Sequence, residues 1–521
     1  MPLLSWHNRD QDLTRAALAP YRLLEPVAGL SYGEPDAPNM LVEGDNLDAL
    51  KALLPYYAGQ VKCVFIDPPY NTGSAFEHYD DNIEHSTWLS MMYPRLELLR
   101  ELLAEDGTIW MTISDDEAHY LKVIMDEVFA RKNFLADFTW IKKRKPSYLS
   151  KIGTITEHVL CYSKRKGSVV DLTVGETNAD ETYPLYNAGN SRGILRFKPG
   201  SMIFKFIENG VIPRQDFREK TSQIRLLQDF TVIDGVNATE ITIEGEWRYG
   251  QKAIDEQLAA GETYVVKTEK FRPRRMLSDG GKRKKIHNFL SKDTFGIGTY
   301  EDSAEEASRF GFDEEFDYPK PESLLHFILE ASTIKGDLVL DSFLGSGTTA
   351  AVAHKMGRRW IGIEMGDHAR THCQPRLKKV VDGEQGGISE AVGWQGGGGF
   401  RYYKLGVPVF DQDGHIDERI KFEHLAAHVW FAETGTARST RAKKDAFLGE
   451  HGGTGYYLLF NGILGDERKT SGNVLTRRVL RSLPKFDGPK VIYGEACDLS
   501  AEQLRELDIA FRQTPYDIQA R

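Results

Sequence analysis

The sequence predicts an α/β fold whose core is split by a long insertion and followed by a smaller α/β region. Three observations carry this. Apolar strand-like runs alternate with helical spacing over residues 39–165 and again over 318–382, the pattern of a mostly parallel sheet covered by helices. Between them, over 166–317, apolar runs shorten, basic and polar residues rise, and no βαβ repeat is visible. After Gly383 comes a glycine-rich linker as far as residue 404, with Gly396 to Gly399 uninterrupted, and strand and helix patterns return in 405–521.

Residues 1–38 read as an N-terminal arm. Met40-Leu41-Val42 is a short apolar strand, and Leu47 to Leu54 has helical spacing. Val61 to Ile66 reads as a buried strand that runs directly into Asp67-Pro68-Pro69-Tyr70. Trp88 to Leu103 is an amphipathic helix, Thr108 to Ser114 a strand, His119 to Phe129 a helix and Thr156 to Ser163 a strand. In the second piece, Glu322 to Thr333 is helical and Asp337 to Asp341 is a strand. Gly345-Ser346-Gly347 is a tight loop, Thr348 to Met356 a helix and Arg359 to Glu364 a strand. Near the end, Lys490 to Tyr493 reads as strand and Ala501 to Leu507 as helix, a small separate domain. Parallel sheets bind ligands beyond the carboxyl ends of their strands, where the loops after Ile66 and Asp341 both begin.

Composition narrows the class. The 521 residues suffice for two to four domains, and 41% hydrophobic with 27% charged residues is ordinary for a globular chain. No apolar run reaches the length of a membrane span, and Met1 to Asp10 lacks the apolar stretch of a secretory signal. Cys63, Cys161, Cys373 and Cys497 form no C-x-x-C pair, which disfavours disulfides and structural zinc and fits a reducing cytoplasm. No metal-ligand cluster is visible; His78, His85 and His119 are expected on helix faces or in capping bonds. The net charge of -10 is unevenly spread. Lys267 to Lys292 holds ten cations against Glu269 and Asp279, a local charge of +8, with Phe271, His287 and Phe289 interleaved. Within it Arg272, Arg274, Arg275, Lys282, Arg283, Lys284 and Lys285, together with the knot Lys142-Lys143-Arg144-Lys145, are candidate phosphate contacts. A solvated charged face is the plainer alternative.

Two loops carry chemistry. Asp341-Ser342-Phe343-Leu344-Gly345-Ser346-Gly347-Thr348 follows a strand and opens a helix, so its glycines allow close backbone approach to a ligand. Glu364 ends the next strand 23 residues after Asp341, where a carboxylate can accept bonds from two ribose hydroxyls. Alone, Gly345, Gly347 and Ala350 also satisfy a G-x-G-x-x-A dinucleotide pattern, so NAD is an alternative; the Lys of a P-loop is missing. The other loop, Asp67-Pro68-Pro69-Tyr70, is stiffened by prolines that remove two N–H donors. It presents two acceptors, the Asp67 carboxylate and the Pro68 carbonyl, beside an aromatic face. Two fixed acceptors can orient an exocyclic NH2 on a base, and Tyr70 can stack on the ring for about 1–3 kcal/mol.

Asp67-Pro68-Pro69-Tyr70 with Asp341-x-Phe343-x-Gly345-x-Gly347 resembles the amino-group DNA methyltransferases. The order, catalytic motif before cofactor loop with an insertion between, resembles their beta class. Gly44-Asp45-Asn46-Leu47, Lys320-Pro321, Trp140 to Ser147 and Thr156 to Lys164 extend the likeness. It is greatest to the modification subunits of type III restriction systems, over most of residues 39–382 and more weakly to the C-terminus. The resemblance implies a Rossmann-like class I methyltransferase fold with circularly permuted motif order, with target recognition in 166–317. It implies S-adenosylmethionine as cofactor, double-stranded DNA as substrate, a homodimer and a separate helicase-nuclease restriction subunit. Residues 405–521 are the candidate for subunit contacts. Asp67 and Pro68 would hold the target amine on the Pro69-stiffened turn, with Tyr70 stacked on a flipped base. Phe343, Gly345 and Gly347 would shape the methionine end of the cofactor site, Lys320 would lie near its carboxylate, and Glu364 would bind the ribose. Asp45 and Asn46 would lie toward the cofactor adenine, with Asp341 and Thr348 completing the loop. Asp rather than Ser before Pro-Pro-Tyr points to N6-adenine over N4-cytosine. A Rossmann oxidoreductase, a non-catalytic DNA-binding module and an RNA substrate are the other readings.

Overall fold

The computed structural model describes residues 3–71, 84–146, 151–176, 182–219, 222–276, 283–309, 319–410, 416–417, 419–439, 444–463 and 466–514. His78 and Lys282 lie outside them. The chain divides into two compact units, Met1–Leu172 with Ile286–Arg521, and Thr173–Lys285.

The first unit is built on an 11-stranded sheet. Its strands in chain order are β1 Arg22–Pro26, β2 Tyr32–Gly33, β3 Asn39–Glu43, β4 Val61–Ile66, β5 Leu103–Ile113 and β6 Phe134–Ile141. They continue with β7 Thr156–Ser163, β8 Phe289–Leu290, β9 Leu338–Asp341, β10 Arg359–Glu364 and β11 Gly399–Pro408. In space they run β1-β11-β3-β10-β9-β4-β5-β7-β6-β8, with β2 also on β11. The stretch from β11 to β5 is parallel throughout, while β1 and β7 join antiparallel, so the sheet is mixed. The continuous apolar text of β4 reflects burial between two parallel neighbours and between covering helices. The covering helices include α1 Arg9–Leu18, α2 Asn46–Tyr57, α3 His85–Leu102, α4 Asp115–Val128, α5 Glu322–Ser332, α6 Thr348–Lys355, α7 Gln374–Val381 and α8 Phe422–Thr434. Leu50, Leu53, Leu96, Leu99 and Ile124 from α2, α3 and α4 meet Val64, Ile109 and Ile363 of the sheet in one apolar core.

Chain order and spatial order disagree at several places, and one of them makes the site. The late strands β9 and β10 insert between the early strands β3 and β4. The carboxyl ends of β3, β10, β9 and β4 therefore lie side by side, and the Gly44 N–H donates to the Glu364 carbonyl across two of them (3.0 Å).

Several boundaries differ from the sequence reading. The arm before residue 39 supplies α1 and two edge strands of the main sheet. The glycine-rich stretch ends as strand β11 in that sheet rather than as a linker. The glycines serve close packing: a Cβ on Gly399 would stand 2.4 Å from the Glu34 nitrogen, and one on Gly33 2.2 Å from the Gly398 oxygen. Helix α8, within the stretch read as C-terminal domain, buries Leu425, Ala426 and Val429 in the main core. A four-stranded sheet follows (Phe447–His451, Thr454–Leu458, Lys490–Gly494, Ile509–Gln513). Period-two alternation sends its Tyr456 and Leu458 to the main core, while Tyr457 and Ile492 face a core of its own.

The second unit contains a four-stranded sheet, a seven-stranded sheet to which a strand of residues 182–184 belongs, and one helix, Gln251–Ala259. Leu195, Phe197, Phe204, Phe230, Ile243 and Tyr264 form its core. Phe271 belongs there too, fully buried and stacked on Phe217 at 4.7 Å, so it is a core residue and not an aromatic offered to DNA.

Candidate active site

A cavity of about 520 Å³ opens over the aligned strand ends. Asp45, Asn46, Asp67, Pro68, Pro69, Tyr70, Lys320, Asp341, Phe343, Gly345, Thr348 and Glu364 all line it. Gly347 stands at the start of α6 with φ +85°, and Gly345 has φ +56°, the left-handed region that glycine tolerates. Every residue of both expected sets thus falls in or at one cavity.

On the side of the glycine loop, Glu364 accepts from the Gly345 N–H at 2.6 Å. Asp341 accepts from the Phe343 N–H (2.9 Å) and the Thr349 hydroxyl (2.6 Å), so it braces the turn from within. Burial pushes its carboxyl up to about 7, against those two bonds. Asp45 caps α2 by accepting from Leu47 N (2.8 Å) and pairs with Arg95 (3.0 Å), while Asn46 donates to the Ser342 carbonyl at 2.8 Å. The Ser342 hydroxyl is buried with no hydrogen-bond partner among the described residues. Thr348 accepts from Arg376 (2.8 Å), which also pairs with the fully buried Glu322 (3.1 Å). Glu322 in turn holds the fully buried Lys355 at 2.8 Å. Arg376, Glu322 and Lys355 were not legible as site supports in the sequence.

On the other side, Trp88 Nε1 donates to the Pro69 carbonyl (2.8 Å) and pins the turn to α3. Both Asp67 oxygens are engaged, Oδ1 by the Thr112 hydroxyl (2.6 Å) and Oδ2 by Lys320 Nζ (2.5 Å). Lys320 is therefore on the Asp67 turn in this structure. Its ammonium also lies 5.0 Å from the Tyr70 ring centre and 5.2 Å from that of Tyr300. Tyr70 and Tyr300 each donate to buried Glu157 (2.9 Å), which takes a third bond from Lys142 (2.9 Å). Burial, with Asp67 and Glu157 adding to it, holds the Tyr70 hydroxyl well above the ordinary tyrosine range. Burial, with Glu157 and then Asp67, does the same for Tyr300, so both remain donors.

The basic residues separate into kinds. Lys142 lies inside the cavity on Glu157, Lys143 lines it, Arg144 pairs with Asp302 (2.7 Å), and Lys145 is exposed. Arg274 donates to Thr182 Oγ1 (2.7 Å) and Arg275 pairs with Glu262 beside the Tyr249 ring. Arg272, Arg283, Lys284 and Lys285 are exposed. His287 leans on Phe295 (4.6 Å between ring centres), and Phe289 is exposed.

A carboxylate on a proline-stiffened turn, an aromatic wall and a glycine loop with a ribose-type acid share one cavity. The DNA methylase family matches residues 61–374, which contain both loops. The chain belongs to this N6/N4 DNA methylase family. It is 35% identical over 416 residues to the probable type III restriction-modification enzyme HindVI Mod subunit of Haemophilus influenzae, covering 72% of this chain and 55% of that one. It is 28% identical to the type III EcoPI Mod subunit of Escherichia phage P1, over 67% of this chain and 60% of that one. The chain thus spans little more than half the length of these relatives. A solved putative DNA modification methylase of Thermus thermophilus, complexed with S-adenosyl-L-methionine, superimposes with a TM-score of 0.33 at 15% identity, covering 66% of this chain and 97% of that one. No described helix is long and apolar enough to cross a membrane.

Proposed function

We propose that the protein methylates the N6 amino group of adenine in double-stranded DNA, with S-adenosylmethionine as methyl donor and the target base flipped out of the duplex. The observation that carries this reading is the shared cavity: the Asp67–Tyr70 turn and the Phe343–Gly347 loop face one space.

The residues fit the cofactor. A cavity of about 520 Å³ suits a small molecule. Glu364 and Asp45 offer carboxylates to hydroxyls and amines, Phe343 and Phe65 offer apolar surface, and the Ser342 hydroxyl is buried and unsatisfied. Bound there, S-adenosylmethionine supplies an electrophilic methyl group on a sulfonium.

The protein's own part is positioning. An adenine within a duplex cannot present its amine for in-line attack, so unstacking at a few kcal/mol is offset by stacking on Tyr70 and by pocket bonds. Asp67 and the Pro68 carbonyl accept the two amine hydrogens. That draws the nitrogen lone pair out of ring conjugation and aims it across the cavity. Trp88 and Thr112 hold the turn and the carboxylate in place. Orientation of this kind is the larger part of the rate advantage. Asp rather than Ser at position 67 supports adenine over N4-cytosine. The inserted unit, with exposed Arg272, Arg283, Lys284 and Lys285, is the candidate reader of the target. By likeness to Mod subunits the protein acts as a homodimer beside a helicase-nuclease restriction subunit, in the cytoplasm.

The test is transfer of labelled methyl to unmethylated genomic DNA followed by nucleoside analysis. N6-methyl-2′-deoxyadenosine is expected. N4-methyl-2′-deoxycytidine would keep the mechanism and overturn the base, and transfer only to RNA offered in parallel would overturn the substrate.

A further inference from the structure

The Lys320 ammonium stands where an amine donor to Asp67 would stand. Its side chain is 6% exposed, and Nζ lies 2.5 Å from Asp67 Oδ2. The same nitrogen lies over the Tyr70 and Tyr300 rings, at 5.0 and 5.2 Å from their centres. Those rings are held by one anchor, Glu157, to which both hydroxyls donate. An N–H donor bonded to the Asp67 carboxylate beside aromatic faces describes both this ammonium and the exocyclic amine of a stacked base.

We infer that Lys320 is an internal stand-in for the substrate amine: it competes for Asp67, and the base enters only by displacing it. The inference rests on the reading of Asp67 as the amine acceptor. A charge-assisted bond to a carboxylate is about twice as strong as one from a neutral amine, so the ammonium is the preferred partner of Asp67 Oδ2 and the base amine must compete with it there. The backbone there is stiff. Pro319 and Pro321 fix their own φ, and Lys320, which precedes a proline, is restricted to extended conformations. The side-chain torsions of Lys320 are the freer ones there, and rotating them swings the ammonium away without remodelling the loop. Tyr300, which follows the second unit in the chain, becomes with Glu157 a positioning element of the acceptor pocket that no sequence motif marked.

The test measures what the amine contributes to binding. A short duplex carrying the sequence that methylation mapping identifies is made with adenine, or with purine lacking the 6-amino group, at the target position. Dissociation constants are measured by fluorescence anisotropy without cofactor, for the wild type and for Lys320→Met, which keeps the stem beside the rings. The ratio of the two constants in the wild type is the reference, because the Pro68 carbonyl meets the amine in every form of the protein. Lys320→Met is expected to raise the preference for adenine above that reference by roughly threefold to tenfold, the worth of one hydrogen bond. Lys320→Gln, read in the same way, is expected to show the same gain and covers the case in which the methionine variant does not fold. Variants whose preference equals that of the wild type, while the wild type methylates the adenine duplex, would overturn the stand-in role and leave the methylation reading intact. A wild type that methylates no DNA overturns both.

Discussion

Glu322→Gln probes the buried network that holds the glycine loop. Glu322 and Lys355 are both fully buried as side chains. Glu322 accepts from Lys355 (2.8 and 3.0 Å), Arg376 (3.1 Å) and the Ile388 N–H (3.0 Å). Removing one member of a buried pair costs about 3–5 kcal/mol, because the partner charge stays desolvated. Lys355 keeps Glu384 and the Gly386 carbonyl, which places the expected loss near the lower end, about 3 kcal/mol. The damage should reach the cofactor side as well. Arg376, released from Glu322, holds the Ser346 and Thr348 hydroxyls less firmly (3.2 and 2.8 Å). Urea denaturation should show a lower midpoint with an unchanged slope. Calorimetry with S-adenosylhomocysteine should show binding weakened about tenfold, equivalent to about 1.4 kcal/mol. A stability loss below about 1 kcal/mol with unchanged affinity would refute the network's role.

Two further perturbations separate the turn from the surface. Trp88→Phe keeps the ring and removes the bond to the Pro69 carbonyl, so it should cost about 1 kcal/mol of stability and lower kcat more than it raises KM, read by steady-state methylation. His158, bonded to Asp137 and Asp115 at 3.0 Å, has its pKa raised from 6.5 to about 9, first by the Asp137 bond. A raised histidine stabilises the fold fully below its ordinary pKa and loses that contribution as pH rises through the folded value. Its side chain is 25% exposed, so His158→Gln should lose about 1 kcal/mol at pH 6 after screening and nothing above about pH 10, by urea denaturation across pH.

How much was legible depended on whether the physics was local. Val61–Ile66 and Arg359–Glu364 were readable because a strand buried on both faces is written as an unbroken apolar run. The Asp67 turn was readable because two prolines in succession leave few conformations. The support of the site was not readable. Tyr70, Glu157 and Tyr300 converge from positions 87 and 143 residues apart, and nothing in a polar stretch marks one tyrosine as a wall. Lys320 could be placed near the cavity but not on Asp67, since a salt bridge spanning 253 residues has no local signature. The glycines near residue 399 read as a linker, whereas tertiary packing uses them to bring backbones together. The cations at 274 and 275 suggested an open phosphate patch, while the fold gives them Thr182 and Glu262.

The most direct test of the central claim compares methyl transfer by the wild type and by Asp67→Ala on the same unmethylated DNA, with S-adenosylhomocysteine affinity measured alongside. The account predicts N6-methyl-2′-deoxyadenosine from the wild type. For the variant it predicts transfer reduced by at least about a hundredfold, the scale of a lost transition-state contact, at near-normal cofactor affinity. Transfer by Asp67→Ala within a few fold of the wild type would contradict it.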